Sequence, residues 1–154
     1  SKKVWCERRN GSFLNSNLSK KTNLEEMNLV RSKNHSNDVL KKLIDKIEFS
    51  NISVMGSVGC KISSIIRGEN DIYLSISLPG KSCPKDWDFA APEVILKNSG
   101  GAITNIDNEE LIYNQENYEQ KGIIIASSNK ETHIEVCSKI KAIIKKYNLY
   151  PLNS

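Results

Sequence analysis

Short apolar runs of strand length alternate with segments whose apolar residues recur at helical spacing, and this alternation most restricts the fold. Val39, Leu40, Leu43, Ile44 and Ile47 share one helical face behind a capping Ser36. The spacing predicts helices over 36–48, 57–67, 88–99 and 130–147. Glycines stop the second at Gly68 and the third at Gly100 and Gly101. Pro92 is tolerated in a first turn, which sets the start of the third helix near Asp88. Segments 27–31, 52–55, 71–76 and 102–106 read as strands, and 122–127 is a β-branched run suited to a strand buried on both faces. Hairpins are expected at Asn10-Gly11 and between 102–106 and 110–113, with loops over 15–26 and 78–86. Strands and helices in this order imply an α/β fold: a layered domain with a central mixed, partly parallel sheet flanked by helices. At 154 residues the chain holds one domain with a core of its own.

Charge and cysteine usage narrow the function. Lys and Arg number 22 against 18 Asp and Glu, giving a net charge of +4 with no polybasic arm. A polymeric nucleic acid partner is therefore not expected. No apolar run is long enough to span a membrane, and no apolar leader follows Ser1. Cys6, Cys60, Cys83 and Cys137 lie too far apart for a zinc motif, and a chain with its own core does not need a disulfide framework. Reduced thiols in a cytoplasmic protein are the expectation.

The densest chemical signal is Trp87-Asp88-Phe89-Ala90-Ala91-Pro92-Glu93, followed by the glycine pair at the helix end. An acidic residue here caps free N–H groups and suits the positive end of the helix dipole. Small Ala90 and Ala91 allow close packing and Trp87 stiffens the approach, so the Asp88 carboxylate is also suited to ligating a metal ion. Upstream, Gly56-Ser57-Val58-Gly59-Cys60-Lys61 runs into a helix start, where backbone N–H groups favour anions. Lys81 and Lys85 flank the loop before Asp88, either as solubilising charge or as positive potential near an anion. Tyr73 and Trp87 are either core residues or stacking platforms, and His133 has no motif around it.

These motifs, with Asn70-Asp71-Ile72-Tyr73-Leu74 between them and Arg31-Ser32-Lys33-Asn34-His35 before them, resemble in order and spacing the C-terminal half of the inositol monophosphatase superfamily. The likeness is greatest to its 3'(2'),5'-bisphosphate nucleotidase branch, which carries a Ser-Arg-Ser-His block and a lysine matching Lys61. It implies a Mg²⁺-dependent phosphomonoesterase in which Asp88 is one metal ligand, while Ser57, Gly59, Lys61 and His35 contact substrate. The substrate implied is 3'-phosphoadenosine 5'-phosphate or its sulfated form. An inositol or sugar monophosphate, and a non-catalytic anion-binding module, are the alternatives. The family's Asp-Pro-Ile-Asp-Gly-Thr-type block and early glutamate are absent, so residues 1–154 are expected to form one C-terminal lobe without the metal-binding lobe. No catalytic residue is assigned in this chain, which is expected to be inactive alone. A lobe without its partner exposes an apolar face, which makes homo-oligomers an open alternative.

Overall fold

The computed structural model describes residues 4–7, 9–33 and 37–152. A small antiparallel ribbon, β1 (Trp5–Glu7) with β2 (Phe13–Asn15), precedes the main body. The body contains β3 (Asn28–Ser32), α1 (Asp38–Ile47), β4 (Asn51–Met55), α2 (Val58–Ile66) and β5 (Ile72–Ile76). It continues through α3 (Asp86–Ser99), β6 (Ala102–Asn105), β7 (Ile123–Ser127) and α4 (His133–Lys146). The central sheet has the order β4-β3-β5-β7-β6. β3 runs parallel to β4 and β5, and β7 runs antiparallel to β5 and β6. The expected mixed, partly parallel sheet is present.

Alternation along the strands divides the core into two layers. Leu29, Ile72, Leu74, Ile76, Ile123 and Ile125 face α1 and α4, while Val30, Tyr73, Ile124 and Ala126 face α2 and α3. With a side-chain period of two, neighbouring strand residues must go to opposite layers. β5 and β7 are buried along their whole length, as expected of strands with a helix layer on each face.

Three expectations change. Asn37, not Ser36, caps α1: its side-chain oxygen accepts the Leu40 N–H at 2.9 Å, and its amide donates to the Ile76 carbonyl at 2.7 Å. Ser36 lies outside the described residues. β4 joins the central sheet as expected, at its edge, with Ile52 and Val54 exposed. α3 starts at Asp86 and therefore takes Pro92 inside the helix. That proline withholds only the N–H that would reach the Asp88 carbonyl, and tertiary bonds to Asp86 anchor the extra residues. The second expected hairpin does not form, because β6 pairs with β7 and 110–121 lies along α3 instead. There Tyr113 donates to Glu93, and the Asn114 N–H and Gln120 amide donate to Asp86.

The glycine pair after α3 has two separate causes. Gly100 takes the left-handed conformation, φ 105°, that ends the helix. A Cβ on Gly101 would come within 2.5 Å of Leu96 Cδ1 and 2.7 Å of the Ser127 carbonyl, so only glycine lets the chain pass into β6.

Candidate functional site: a cleft at the carboxyl ends of the parallel strands

β3, β4 and β5 end side by side, and the chain leaves β4 directly into α2. The resulting cleft has a volume of about 310 Å³ and is lined by Ser32, Ser57, Lys61, Tyr73, Ser77 and Asp88, among others. Clefts of this kind form outside the carboxyl ends of strands in open α/β sheets.

Ser57 is the N-cap of α2, its Oγ accepting the Cys60 N–H at 3.0 Å. The cap engages a lone pair and leaves the hydroxyl proton available. Lys61 is in the second turn of α2 and is 1% exposed. Its ammonium donates to the Gly56 carbonyl at 2.9 Å and sits 5.1 Å from the centre of the Tyr73 ring. Burial pushes its pKa below that of an ordinary lysine, while Cys60 and Asp88 pull it back up. Lys61 is therefore a buried residue of the cleft and not a solvated surface lysine. Asp88 stands in the first turn of α3, with Oδ2 accepting the Lys85 N–H at 2.9 Å. Its other oxygen has no hydrogen-bond partner among the described residues. Asp88 is close enough across the cleft for its charge to be felt at Lys61.

The remaining candidates fall differently. Gly59 lines a shallower depression on the outer side of α2 with Met55, Cys60 and Arg67. A Cβ there would meet only Ser57 Oγ, at 3.9 Å. His35 lies outside the described residues. Lys85 reaches the cleft, but its ammonium is held at 3.1 Å by both Glu119 and the Asn117 carbonyl. Trp87 is 66% exposed with its ring 6.0 Å from that of Tyr118, so it is neither core nor wedged beside Asp88. Tyr73 is core and cleft wall together. Among the lining serines, Ser75 and Ser77 escaped the sequence reading because isolated serines carry no motif, whereas Ser32 stands in the 31–35 block. Their only signal was the alternation Tyr73, Ser75, Ser77, which places all three on one face of the strand and its continuation.

Among the described residues, no group of three or more His, Cys, Asp or Glu side chains is arranged to hold a metal ion. Asp88 is thus a single carboxylate with one oxygen free, a donor for a hard cation but not a complete site. No helix among the described residues is long and apolar enough to cross a membrane.

Comparison with known proteins identifies the family and the fold. A model of the inositol monophosphatase family matches residues 1–145. The mouse 3'(2'),5'-bisphosphate nucleotidase 1 is 34% identical over 105 residues, covering 67% of this chain and 33% of the mouse protein. A Dictyostelium discoideum protein of the same name is 29% identical over 116 residues, 73% of this chain and 36% of that protein. Among solved structures, a Thermotoga maritima IMPase superimposes with a TM-score of 0.64 at 19% identity, covering 94% of this chain and 53% of its own. Staphylococcal IMPase-II gives 0.63 at 21%, covering 89% and 51%. The chain belongs to the inositol monophosphatase family. It spans about a third of the length of the curated relatives it matches and about half of the solved structures that share its fold.

Proposed function

We propose that this chain is the substrate-binding, C-terminal lobe of a Mg²⁺-dependent phosphomonoesterase acting on 3'-phosphoadenosine 5'-phosphate or its sulfated form. The observation that carries the proposal is the convergence of Lys61, Ser57 and Asp88 on one cleft. A buried ammonium and a helix N-terminus attract a phosphate from one side, and a carboxylate with a free oxygen stands on the other. The curated relatives above, both named as 3'(2'),5'-bisphosphate nucleotidases, support the nucleotide over an inositol phosphate.

In this reading Lys61 and Ser57 orient the phosphate ester at the start of α2, while the family resemblance, not their placement, is what assigns Gly59 and His35 to substrate contact. Asp88 would supply one oxygen to Mg²⁺. When bound, the metal would lower the pKa of a water and offset charge on the leaving oxygen. One carboxylate cannot surround a hard cation that takes about six oxygens, so the chain alone is inactive.

The outer surfaces of the two helix layers support the lobe assignment. On α1 every exposed position is charged: Asp38, Lys41, Lys42, Asp45 and Lys46. On α3 the exposed positions are Trp87, Ala90, Ala91, Val94, Ile95 and Asn98, none of them charged. A helix face open to water is ordinarily polar, and an uncharged one marks a contact surface. A metal-binding lobe would seat here, and in its absence two copies of the chain would pair through this face.

Chemical-shift titration with adenosine 3',5'-bisphosphate tests the assignment. The amides at 56–61 and 85–88 should move. Shifts confined to α1 and α4 would place the ligand elsewhere and end this reading.

A further inference from the structure

Asp88 is the third residue of α3, yet the start of that helix lacks the usual side-chain cap. Lys85 occupies the cap position, and a lysine side chain has no acceptor to offer the free N–H groups of the first turn. The turn is fixed from outside, by residues 112–120. The Gln120 N–H donates to the Pro84 carbonyl at 2.9 Å, and Lys85 pairs with Glu119 in an antiparallel bridge. Asp86 receives two donors from the same segment, the Gln120 amide at 2.7 Å and the Asn114 N–H at 2.6 Å. The Gln120 amide also donates to the Ile112 carbonyl at 2.9 Å, which ties the two ends of the segment together.

Gln120 is the centre of this clasp. It alone is buried between 107 and 121, at 5% exposure. Leu111 and Tyr113 are only half-buried and Ile112 is exposed, so the hold on 84–86 comes from the hydrogen bonds. The clasp reaches Asp88 through one further bond. Asp88 Oδ2 accepts the Lys85 N–H at 2.9 Å, and the Lys85 backbone is what Glu119 and Gln120 hold. Fixing Oδ2 also fixes the direction of the other oxygen, the one left for a hard cation. A carboxylate free to rotate would first have to be ordered, at a cost in binding. Gln120 itself stays outside the cleft and lines a separate cavity of about 360 Å³ with Asn105 and Ile124 of the sheet.

We propose that Gln120 is a positioning residue for metal binding: acting through Asp86 and the backbone of 84–85, it holds the Asp88 carboxylate in the orientation that a cation requires. This rests on the reading of Asp88 as a metal ligand. The segment 112–120 thereby sets the metal side of the cleft and leaves the phosphate side, at Lys61, unaffected.

The test is the affinity of adenosine 3',5'-bisphosphate, titrated by NMR with and without Mg²⁺ at constant ionic strength. It compares the wild-type chain with Asp88→Asn, Gln120→Leu and Asp86→Asn, each verified as folded by its spectrum. Mg²⁺ should tighten wild-type binding about five-fold, of the order of one charge-assisted contact, and Asp88→Asn should remove that gain. Gln120→Leu and Asp86→Asn should keep the metal-free affinity and lose most of the gain. A purely structural role would move both affinities together, and that result overturns the proposal. A full Mg²⁺ gain in Gln120→Leu and Asp86→Asn also overturns it, and leaves Asp88 standing as the ligand. A wild type without the gain, or a gain that Asp88→Asn retains, overturns the metal-ligand reading of Asp88 and the positioning with it.

Discussion

Lowering the pH from 7.5 to 5 should destabilise the fold through His133, a buried residue remote in role from the cleft. His133 is 1% exposed and joins three elements. Nδ1 lies 2.6 Å from Ser127 Oγ on β7, and Nε2 lies 2.8 Å from Thr104 Oγ1 on β6 and 3.5 Å from Cys137 Sγ on α4. Thr104 donates its only hydroxyl proton to the Asn105 carbonyl at 2.7 Å. It must therefore accept from His133, which makes Nε2 the protonated nitrogen and Nδ1 the acceptor from Ser127. A second proton on the ring would put a positive charge where solvent barely reaches. Burial accordingly pushes the pKa from 6.5 down to about 4.

A histidine depressed in the folded state is neutral there and takes up a proton on unfolding. Its stabilising contribution is complete above pH 6.5 and is lost as pH falls toward 4. The full step is about 3 kcal/mol, and the part lost between pH 7.5 and 5 is about 2 kcal/mol. Urea denaturation at the two pH values, on wild type and His133→Gln, reads it out. Glutamine keeps hydrogen-bonding capacity without titrating, so the variant should lack this loss even though it is less stable at pH 7.5. Equal losses in both proteins would refute the argument. So would an imidazole C–H resonance of His133 that titrates near pH 6.5 in the folded wild type.

Three further outcomes follow from the same structure. Tyr113→Phe removes the hydroxyl that donates to the buried Glu93 carboxylate, leaving that group with Lys97. It should cost about 1–3 kcal/mol in a urea melt, and an unchanged midpoint would show that 110–121 is not held on α3 this way. The purified chain with Mg²⁺ should hydrolyse no phosphate monoester above background, and turnover abolished by Asp88→Asn would contradict the single-ligand reading. Sedimentation equilibrium should show a dimer that Val94→Glu converts to monomer. A wild-type monomer at all concentrations would remove the self-pairing of α3.

The layered architecture was legible because the two side-chain periods are unambiguous: Leu40, Leu43 and Ile47 on α1, and the unbroken run of β7, have no other sensible reading. What local sequence could not show was set by tertiary partners. The start of α3 moved to Asp86 because Asn114 and Gln120, about thirty residues downstream, hold that carboxylate. Segment 110–113 alternates as a strand does, yet the edge of β6 is left and Tyr113 goes to Glu93. Lys61 is legible as a site residue from the turn at 56–61, but its near-complete burial is not, since lysines are seldom fully buried. Its burial depends on Tyr73 beneath it and Gly56 beside it, neither of which a helical pattern reveals. Asp88 and Ser57 could be named from their positions at helix starts, whereas Ser75 and Ser77 acquire meaning only once β5 ends at the cleft.

The central claim is that Lys61 anchors a nucleotide phosphate, and the dissociation constants of adenosine 3',5'-bisphosphate and inositol monophosphate for wild type and Lys61→Ala test it most directly. An incomplete site should bind the bisphosphate weakly, on the order of millimolar, more tightly than inositol monophosphate, and less tightly as salt is added. Lys61→Ala should weaken the bisphosphate about ten-fold, the loss of one charge-assisted hydrogen bond. Equal affinities for the two ligands, unchanged by the substitution, would contradict the account.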